Sequence, residues 1–137
     1  MIINDDAGLT RILETHRVIA MVGLSPKEDR PSNRVACFLM ARGFTVIPVN
    51  PGQSEILGQR CYADLKSIPV KVDMVDVFRN ADDVPPIADD AIAIGAKSLW
   101  LQLGIVNQQA AEKASAAGLD VVMDRCPKIE YDRLYSR

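Results

Sequence analysis

The loop over residues 23–32 brings together side chains suited to binding phosphate. It follows an apolar run, residues 18–22, and begins with a glycine that lets the backbone approach a ligand closely. Hydroxyl groups, cationic side chains and the free N–H groups of a helix beginning near Ser32 can all bind an anion. The candidate residues are Gly23, Ser25, Lys27, Arg30 and Ser32. The loop therefore predicts a phosphate site, with solvated charges and a simple helix cap as the structural alternative.

The same loop lacks the glycine pattern of a dinucleotide site. Such a site follows G-x-G-x-x-G, and the next strand ends near an acidic residue that holds the ribose. Here the loop reads GLSPKEDRPS, and the second apolar run, residues 45–49, is followed by Asn50 and Pro51. These departures count against binding of NAD.

Three further loops place aromatic, amide or thiol groups near the ends of apolar runs. Phe78 and Arg79 can stack on a flat ring or pair with a phosphate. Gln102 can donate and accept hydrogen bonds, and Gly104 permits close backbone approach. Cys126 is either an accessible thiol or a small buried apolar side chain. A purely structural role is the alternative for each of these positions.

Groups that would catalyse a reaction are sparse in this sequence. The single histidine, His16, precedes the first apolar run, at the end of a parallel sheet away from its ligands. No spacing of histidine or cysteine suggests a metal site. Asp73 and Asp76 lie within an apolar run rather than at its end, so they do not resemble an acid–base pair. The sequence thus offers a place to bind a ligand without evident means to react with it.

The elements that position these loops alternate between apolar strands and helical patterns. Asn107 is placed to cap one helix, and Gly118 to end it. The five predicted strands cover residues 18–22, 45–49, 72–77, 98–101 and 119–123. We expect an α/β fold, a Rossmann-like open parallel sheet of five strands in the order 3-2-1-4-5 with helices on both faces. Its ligand site is expected at the switch point between strands one and four.

Composition and charge narrow the class of protein. The 137 residues fit a single domain, residues 1–137, with a core of its own. A net charge of −2 provides no basic field for nucleic acid or an anionic membrane, and no apolar run is long enough to span a bilayer. Three scattered cysteines and an N-terminus without a signal-peptide layout predict a cytoplasmic location.

Motifs at the ends of all five predicted strands together resemble the small stand-alone CoA-binding proteins. These are similar to the N-terminal domain of the succinyl-CoA synthetase alpha subunit. The motifs are GLSP and DRPS within 23–32, VIPVNP at 46–51, DMVDVFR at 73–79, LWLQLGI at 99–105 and VVMDRC at 121–126. The resemblance covers about residues 10–130. It implies a Rossmann-like fold that binds coenzyme A rather than NAD.

The resemblance also implies a role for each loop. Residues 24–27 would hold the CoA diphosphate, and residues 48–52 would lie beside the adenosine. The loops at residues 78–79 and 102–104 would line the pantetheine arm, with its thiol end near Cys126. The residues this adds to the candidate site are Leu24, Pro48, Val49, Asn50 and Leu103, beside Phe78, Arg79, Gln102 and Gly104.

The sequence departs from the family in two ways. Relatives often carry a basic residue just after the Asn-Pro step, where this chain has Gly52. Lys27, Arg30 or Arg34 would have to replace that contact with a CoA phosphate. The chain ends at Arg137, without the further domain and partner subunit that the synthetases use, so we do not expect synthetase activity.

We therefore expect a protein that binds coenzyme A or an acyl-CoA without catalysis of its own. One alternative is an enzyme, either an NAD(P)-binding oxidoreductase or an acyl-CoA enzyme that uses Cys126. Another is an interaction module that senses CoA and meets a partner enzyme. The sequence leaves open a homodimer, and it does not separate free CoA from an acyl-CoA or a CoA disulfide.

Overall fold

The computed structural model describes residues 1–135, which form five α-helices and seven β-strands. The helices are α1 (Asp6–Thr15), α2 (Pro31–Ala41), α3 (Val84–Ala93), α4 (Gln108–Ala116) and α5 (Pro127–Tyr135). The strands are β1 (Val18–Val22), β2 (Thr45–Val49), β3 (Glu55–Ile56), β4 (Gln59–Arg60), β5 (Met74–Val77), β6 (Ser98–Leu101) and β7 (Asp120–Val122). All five predicted strands are present. The short β3–β4 hairpin was not predicted.

Five strands form one parallel sheet in the order β2-β1-β5-β6-β7. The α/β class, the Rossmann-like parallel sheet and the helices on both faces are confirmed. The position of the third predicted strand, now β5, needs correction, because it pairs with β1 instead of lying outside β2. Counted along the chain, the five strands therefore lie in the order 2-1-3-4-5. The switch point lies between β1 and β5, not between the first and fourth strands.

A proline inside β2 explains why this strand lies at the edge of the sheet. Pro48 has no N–H to donate to a neighbouring strand, and proline inside a strand is typical of sheet edges. The outer edge of β2 is covered by Tyr62, whose amide donates to the Pro48 carbonyl at 3.0 Å. Strand β5, in contrast, is buried along its whole length and pairs on both sides. Its apolar residues gain most from this central position.

Two apolar layers cover the sheet. Helices α1, α2 and α5 pack on one face, and α3 and α4 pack on the other. Trp100 of β6 is fully buried, and its Nε1 donates to the Arg125 carbonyl at 2.8 Å. His16 lies at the amino end of the sheet, where its Nδ1 and the Ser98 Oγ are 2.9 Å apart. This distant and buried position agrees with the structural role predicted for His16.

The start of α2 differs from the prediction. The helix begins at Pro31, with Arg30 as its extended N-cap residue, so Ser32 lies inside the first turn. Proline suits the first helical position because the N–H it lacks would have no partner there. The Ser32 hydroxyl instead accepts the Ser25 amide at 3.0 Å. The predicted cap at Asn107 is confirmed, since its side chain accepts the Ala110 amide at 3.0 Å.

Candidate functional site

A cavity of about 630 Å³ opens at the carboxyl end of the sheet, at the switch point. It lies between the amino ends of α2 and α5, beside the loops that follow β5 and β6. Four of the five predicted ligand loops contribute to it, and the loop after β2 does not. The lining residues are Pro31, Arg34, Val35, Phe78, Arg79, Asn80, Gln102, Leu103, Ile105, Cys126, Lys128 and Ile129.

The loops that follow β1 and β5 pack directly on each other beside this cavity. The Gly23 amide donates to the Val49 carbonyl at 2.9 Å, and the Phe78 amide donates to the Val22 carbonyl at 2.8 Å. Gly23 has a φ of +87°, and a Cβ atom there would lie 2.5 Å from the Phe78 carbonyl oxygen. Any residue with a Cβ atom at this position would clash with the Phe78 backbone, so the position requires glycine.

Three cationic side chains line the cavity, namely Arg34, Arg79 and Lys128. No carboxylate is among the lining residues within the described part of the chain. Arg79 Nη2 lies 3.5 Å from an Asp83 carboxylate oxygen, but both side chains are more than a third exposed, so this ion pair is weak. The cavity thus carries a positive charge that suits an anionic ligand.

Beneath the cavity, Gln102 contacts a buried acid in the middle of the sheet. The Gln102 Nε2 donates to Asp76 Oδ1 at 2.7 Å, and the other carboxyl oxygen, Oδ2, has no hydrogen-bond partner. Asp76 is fully buried, which raises its pKa from 3.8 to about 7, against the hydrogen bonds from Gln102 and the Val77 amide. Near neutral pH this acid therefore exists in both its neutral and its charged form.

Cys126 lies at the wall of the same cavity, and only a small part of it is exposed. Burial raises the pKa of its thiol. The amides of Ile129 and Lys128 oppose this shift, and the negative charge of Asp76 adds to it. The thiol is therefore protonated near neutral pH, which makes it a poor nucleophile. His16 lies at the other end of the sheet, so it is not placed to act as a base for this thiol.

The predicted phosphate loop is held together by its own hydrogen bonds. The Ser25 Oγ accepts the Lys27 amide at 3.1 Å, and the Ser25 carbonyl accepts from Asn33 Nδ2 at 2.9 Å. Leu24 is fully buried in the core, so only its backbone faces the loop. Lys27 and Arg30 are exposed. The two cations are thus available to an anion, and the Ser25 hydroxyl, which accepts from the turn, can still donate its O–H.

The predicted adenosine strip after β2 lies apart from the cavity. Pro48 and Val49 are buried, so their side chains do not face solvent. Asn50 joins this strip to the phosphate loop, because its Nδ2 donates to the Leu24 carbonyl at 3.0 Å. Its Oδ1 accepts the Gly52 amide at 2.9 Å, which forms a tight turn. Asn50 is half-buried, and residues 51–55 are exposed at this edge.

The structure therefore divides the predicted site residues into two groups. The residues that line the cavity are Phe78, Arg79, Gln102, Leu103 and Cys126. Those outside it are Gly23, Leu24, Ser25, Lys27, Arg30, Ser32, Pro48, Val49, Asn50 and Gly104. Gly104 lies two residues after Gln102, and its amide donates to Asp124 Oδ1 at 2.6 Å.

Sequence reasoning missed several residues that shape the cavity. Asp76 was set aside because it lies inside a strand, although an acid within an apolar run is itself a signal. Lys128 and Ile129 were missed because they lie in the first turn of α5, beyond the loop that the sequence singled out. Arg34 was considered only as a substitute cation. Its position one turn into α2 was the available signal, because the start of that helix borders the switch point.

Within residues 1–135, no group of three or more His, Cys, Asp or Glu side chains is placed to hold a metal ion. None of the helices in this part of the chain combines the length and the apolar character that a membrane crossing requires.

The chain is similar over most of its length to proteins of a known family. The family described as the CoA binding domain matches residues 17–132. Protein YneT of Bacillus subtilis (strain 168) is 36% identical over 125 residues, covering 91% of this chain and 93% of YneT. The ADP-forming acetate–CoA ligase I of Archaeoglobus fulgidus is 28% identical over 120 residues, which cover 80% of this chain but only 18% of the ligase.

Solved structures show the same relationship. A hypothetical protein from Pyrococcus horikoshii OT3 has a TM-score of 0.93 and 39% identity, with 96% of this chain and 92% of that chain covered. The dinucleotide-forming acetyl-coenzyme A synthetase 1 of Ca. Korarchaeum cryptofilum, in complex with phosphate and ADP, has a TM-score of 0.71 and 26% identity. That match covers 81% of this chain and 26% of the synthetase chain. The motifs, the sheet and these matches together show that this chain belongs to the CoA binding domain family.

Proposed function

We propose that this protein binds coenzyme A or an acyl-CoA at the carboxyl end of its parallel sheet, without catalysing a reaction itself. The observation that carries the proposal is the cavity at the switch point, in which cationic, apolar and amide groups surround one space. Membership of the CoA binding domain family supports the choice of ligand. The proposal does not extend to the reactions of the ligase and synthetase relatives, because the chain matches only a small part of their length.

The cavity has a group for each chemical part of the phosphopantetheine half of coenzyme A. Arg34, Arg79 and Lys128 suit the anionic phosphates. Apolar walls suit the aliphatic segments of the arm, and Gln102 suits its amide or thiol groups. The apolar lining side chains are Val35, Phe78, Leu103, Ile105 and Ile129. We therefore infer that the pantetheine arm enters this cavity with its thiol near Cys126 and Gln102.

The nucleotide half then extends toward the loop after β1. Lys27 and Arg30 are exposed on that loop, and Asn50 connects it to the accessible edge after β2. Pro31 belongs both to this loop and to the cavity lining, so the two regions are continuous. We infer that Lys27, Arg30 and Arg34 together supply the positive charge that relatives place after the Asn-Pro step.

The absence of catalysis is inferred from the state of Cys126. Its thiol is buried and protonated near neutral pH, and the described residues place no histidine beside it. An acyl-CoA enzyme that uses Cys126 is the second candidate, since the thiol lines the cavity. That enzyme would need a group to take up the thiol proton, and the distant His16 does not provide one.

Thermal unfolding in the presence of different ligands tests the proposal. Trp100 is the single tryptophan and is fully buried, so its fluorescence reports unfolding. A ligand at about 100 times its Kd adds about 2.7 kcal/mol of stability. For a domain of this size that corresponds to a Tm increase on the order of 5–20 °C.

We expect CoA or acetyl-CoA to give this increase, and NAD, NADP and AMP to give less. An increase with NADP and none with either CoA compound would contradict the proposal. Release of free CoA from acetyl-CoA by the wild-type protein, lost in Cys126→Ser, would favour the enzyme instead.

A further inference from the structure

We propose that Asp76 and Gln102 make the cavity selective for the free thiol of coenzyme A over its thioesters. This inference rests on the proposed function, because it concerns the same cavity. It assigns Asp76 as a positioning residue that acts through Gln102, and Gln102 as the residue that contacts the ligand.

The sheet holds Asp76 in one place. It lies in β5, with Met21 of β1 and Trp100 of β6 as its neighbours in register. Its side chain is fully buried on the sheet face that carries α2 and α5. The neighbouring side chains are large and fully buried, so the carboxyl group has little room to turn.

This acid decides which way the Gln102 amide points. A charged carboxylate only accepts hydrogen bonds, so the amide must turn its Nε2 toward Asp76, as the 2.7 Å contact with Oδ1 shows. The neutral form keeps the same contact when its proton lies on Oδ2. The Gln102 Oε1 is therefore the atom left for the ligand. Within residues 1–135 no group donates to this oxygen, and Gln102 lines the cavity.

An acceptor at this position favours a donor on the ligand. Free coenzyme A carries an S–H group, which is a weak donor, at the end of the pantetheine arm. A thioester has lost that donor and brings a carbonyl oxygen, so two acceptors would face each other. Cys126 and Gln102 line the same cavity, so an arm that enters as the proposed function describes brings its thiol end to both residues.

The unpartnered oxygen of Asp76 supports a role beyond packing. A buried polar group without a partner costs stability, and an apolar side chain would fill the same space without that cost. The one side chain that hydrogen-bonds to Asp76 in the described chain is Gln102. Orienting that amide is therefore the function that the contacts of Asp76 support.

Titration calorimetry with CoA, acetyl-CoA and the thioether S-methyl-CoA tests the inference. We expect the wild-type protein to bind acetyl-CoA about five- to tenfold more weakly than CoA, the range typical of one lost or opposed hydrogen bond. S-methyl-CoA, which has neither the donor nor the carbonyl, should fall between them. Gln102→Met, similar in size but unable to accept strongly, should bring the ratio of the CoA and acetyl-CoA Kd values close to one.

Two substitutions at Asp76 separate orientation from packing. Asp76→Leu leaves the Gln102 amide free to turn, so it should also bring the ratio close to one. Asp76→Asn can offer Gln102 either its Oδ1 acceptor or its Nδ2 donor, so it fixes the Gln102 amide only in part and should give a ratio between those of the wild-type protein and Asp76→Leu. If Asp76→Leu does not fold, Gln102→Met and Asp76→Asn carry the test.

Failure of the inference and failure of the proposed function give different results. Equal wild-type affinities for CoA and acetyl-CoA, or a ratio that Gln102→Met leaves unchanged, would overturn the selectivity and leave CoA binding intact. Equal weakening of both ligands in the substituted proteins would show a merely structural role. Binding of none of the three compounds by the wild-type protein would overturn the proposed function and the inference with it.

Discussion

Gly23 lies against Phe78 so closely that a Cβ atom on Gly23 would approach the Phe78 carbonyl oxygen to 2.5 Å. This contact joins the loops that follow β1 and β5, the two strands that flank the switch point. The glycine that suggested a phosphate site in the sequence therefore has a structural role as well. It sets the distance between the two strand ends beside the cavity.

Replacing Gly23 by alanine should destabilise the protein by on the order of 2–4 kcal/mol. The positive φ and the contact with Phe78 backbone atoms each contribute, because neither the strand end nor the carbonyl can move away easily. Urea unfolding followed by Trp100 fluorescence measures the change. Gly95→Ala is the matched control, since Gly95 also has a positive φ, of 73°, but has no atom within 4 Å of the added Cβ. Equal losses in both variants would show that the Phe78 contact is unimportant.

Replacing Arg34 by alanine should weaken CoA binding by about ten- to a hundredfold, as expected for loss of a charge-assisted hydrogen bond. The loss should shrink at high salt because the Arg34 side chain is exposed. Titration calorimetry at two salt concentrations measures both effects. Lys71→Ala removes the same charge from an exposed residue ahead of β5, at the other end of the sheet, and should leave the Kd unchanged. An unchanged Kd in Arg34→Ala would remove this residue from the site.

The three cysteines should react with iodoacetamide at different rates at pH 7. Cys37 is exposed and should react first, whereas Cys61 and Cys126 are buried and have thiol pKa values raised by burial. Bound CoA should slow the reaction of Cys126 further while leaving Cys37 unaffected. Mass spectrometry of the modified peptides gives each rate. Faster reaction at Cys126 than at Cys37 would instead indicate an activated thiol and favour the acyl-CoA enzyme.

The stability of the protein should fall between about pH 4 and pH 7 because of Asp76. Its pKa rises from 3.8 in the unfolded chain to about 7 in the folded protein, so the folded state binds more protons in this range. At 1.36 kcal/mol for each pKa unit, this group removes about 4 kcal/mol as the pH rises, and its contribution levels off above pH 7.

Asp76→Asn should abolish this part of the pH dependence, as measured by urea unfolding at several pH values. Asp82→Asn, which changes an exposed acid, should follow the wild-type curve. Parallel curves for wild-type and Asp76→Asn would show that the folded state does not hold a proton on Asp76.

Two of the wrong predictions could have been avoided, because proline residues in the sequence already indicated the correct arrangement. Pro48 already indicated an edge strand, yet β5 was placed beyond it in the predicted order. Pro31 indicated the first residue of α2, and Ser32 was nevertheless taken as the cap. Pro48 lacks the N–H that a second neighbouring strand would need, and Pro31 suits the first helical position because no N–H is needed there.

The role of Asp76 could not be read from local sequence. Its partner Gln102 lies 26 positions later in the chain, and the two meet only because β5 and β6 are neighbours in the sheet. Its burial depends on α2 and α5 packing over the same face. A carboxyl group in a strand has no characteristic neighbour in sequence that reveals such a contact.

The sequence by itself determined the alternation of strands and helices, the class of fold and the family. These depend on local hydrophobic periodicity, on turn residues and on motifs that are continuous along the chain. Only the tertiary structure decided the order of the strands and the composition of the cavity. Arg34, Gln102 and Cys126 are far apart in sequence, and they surround one space because parallel strands bring their carboxyl ends to the same edge.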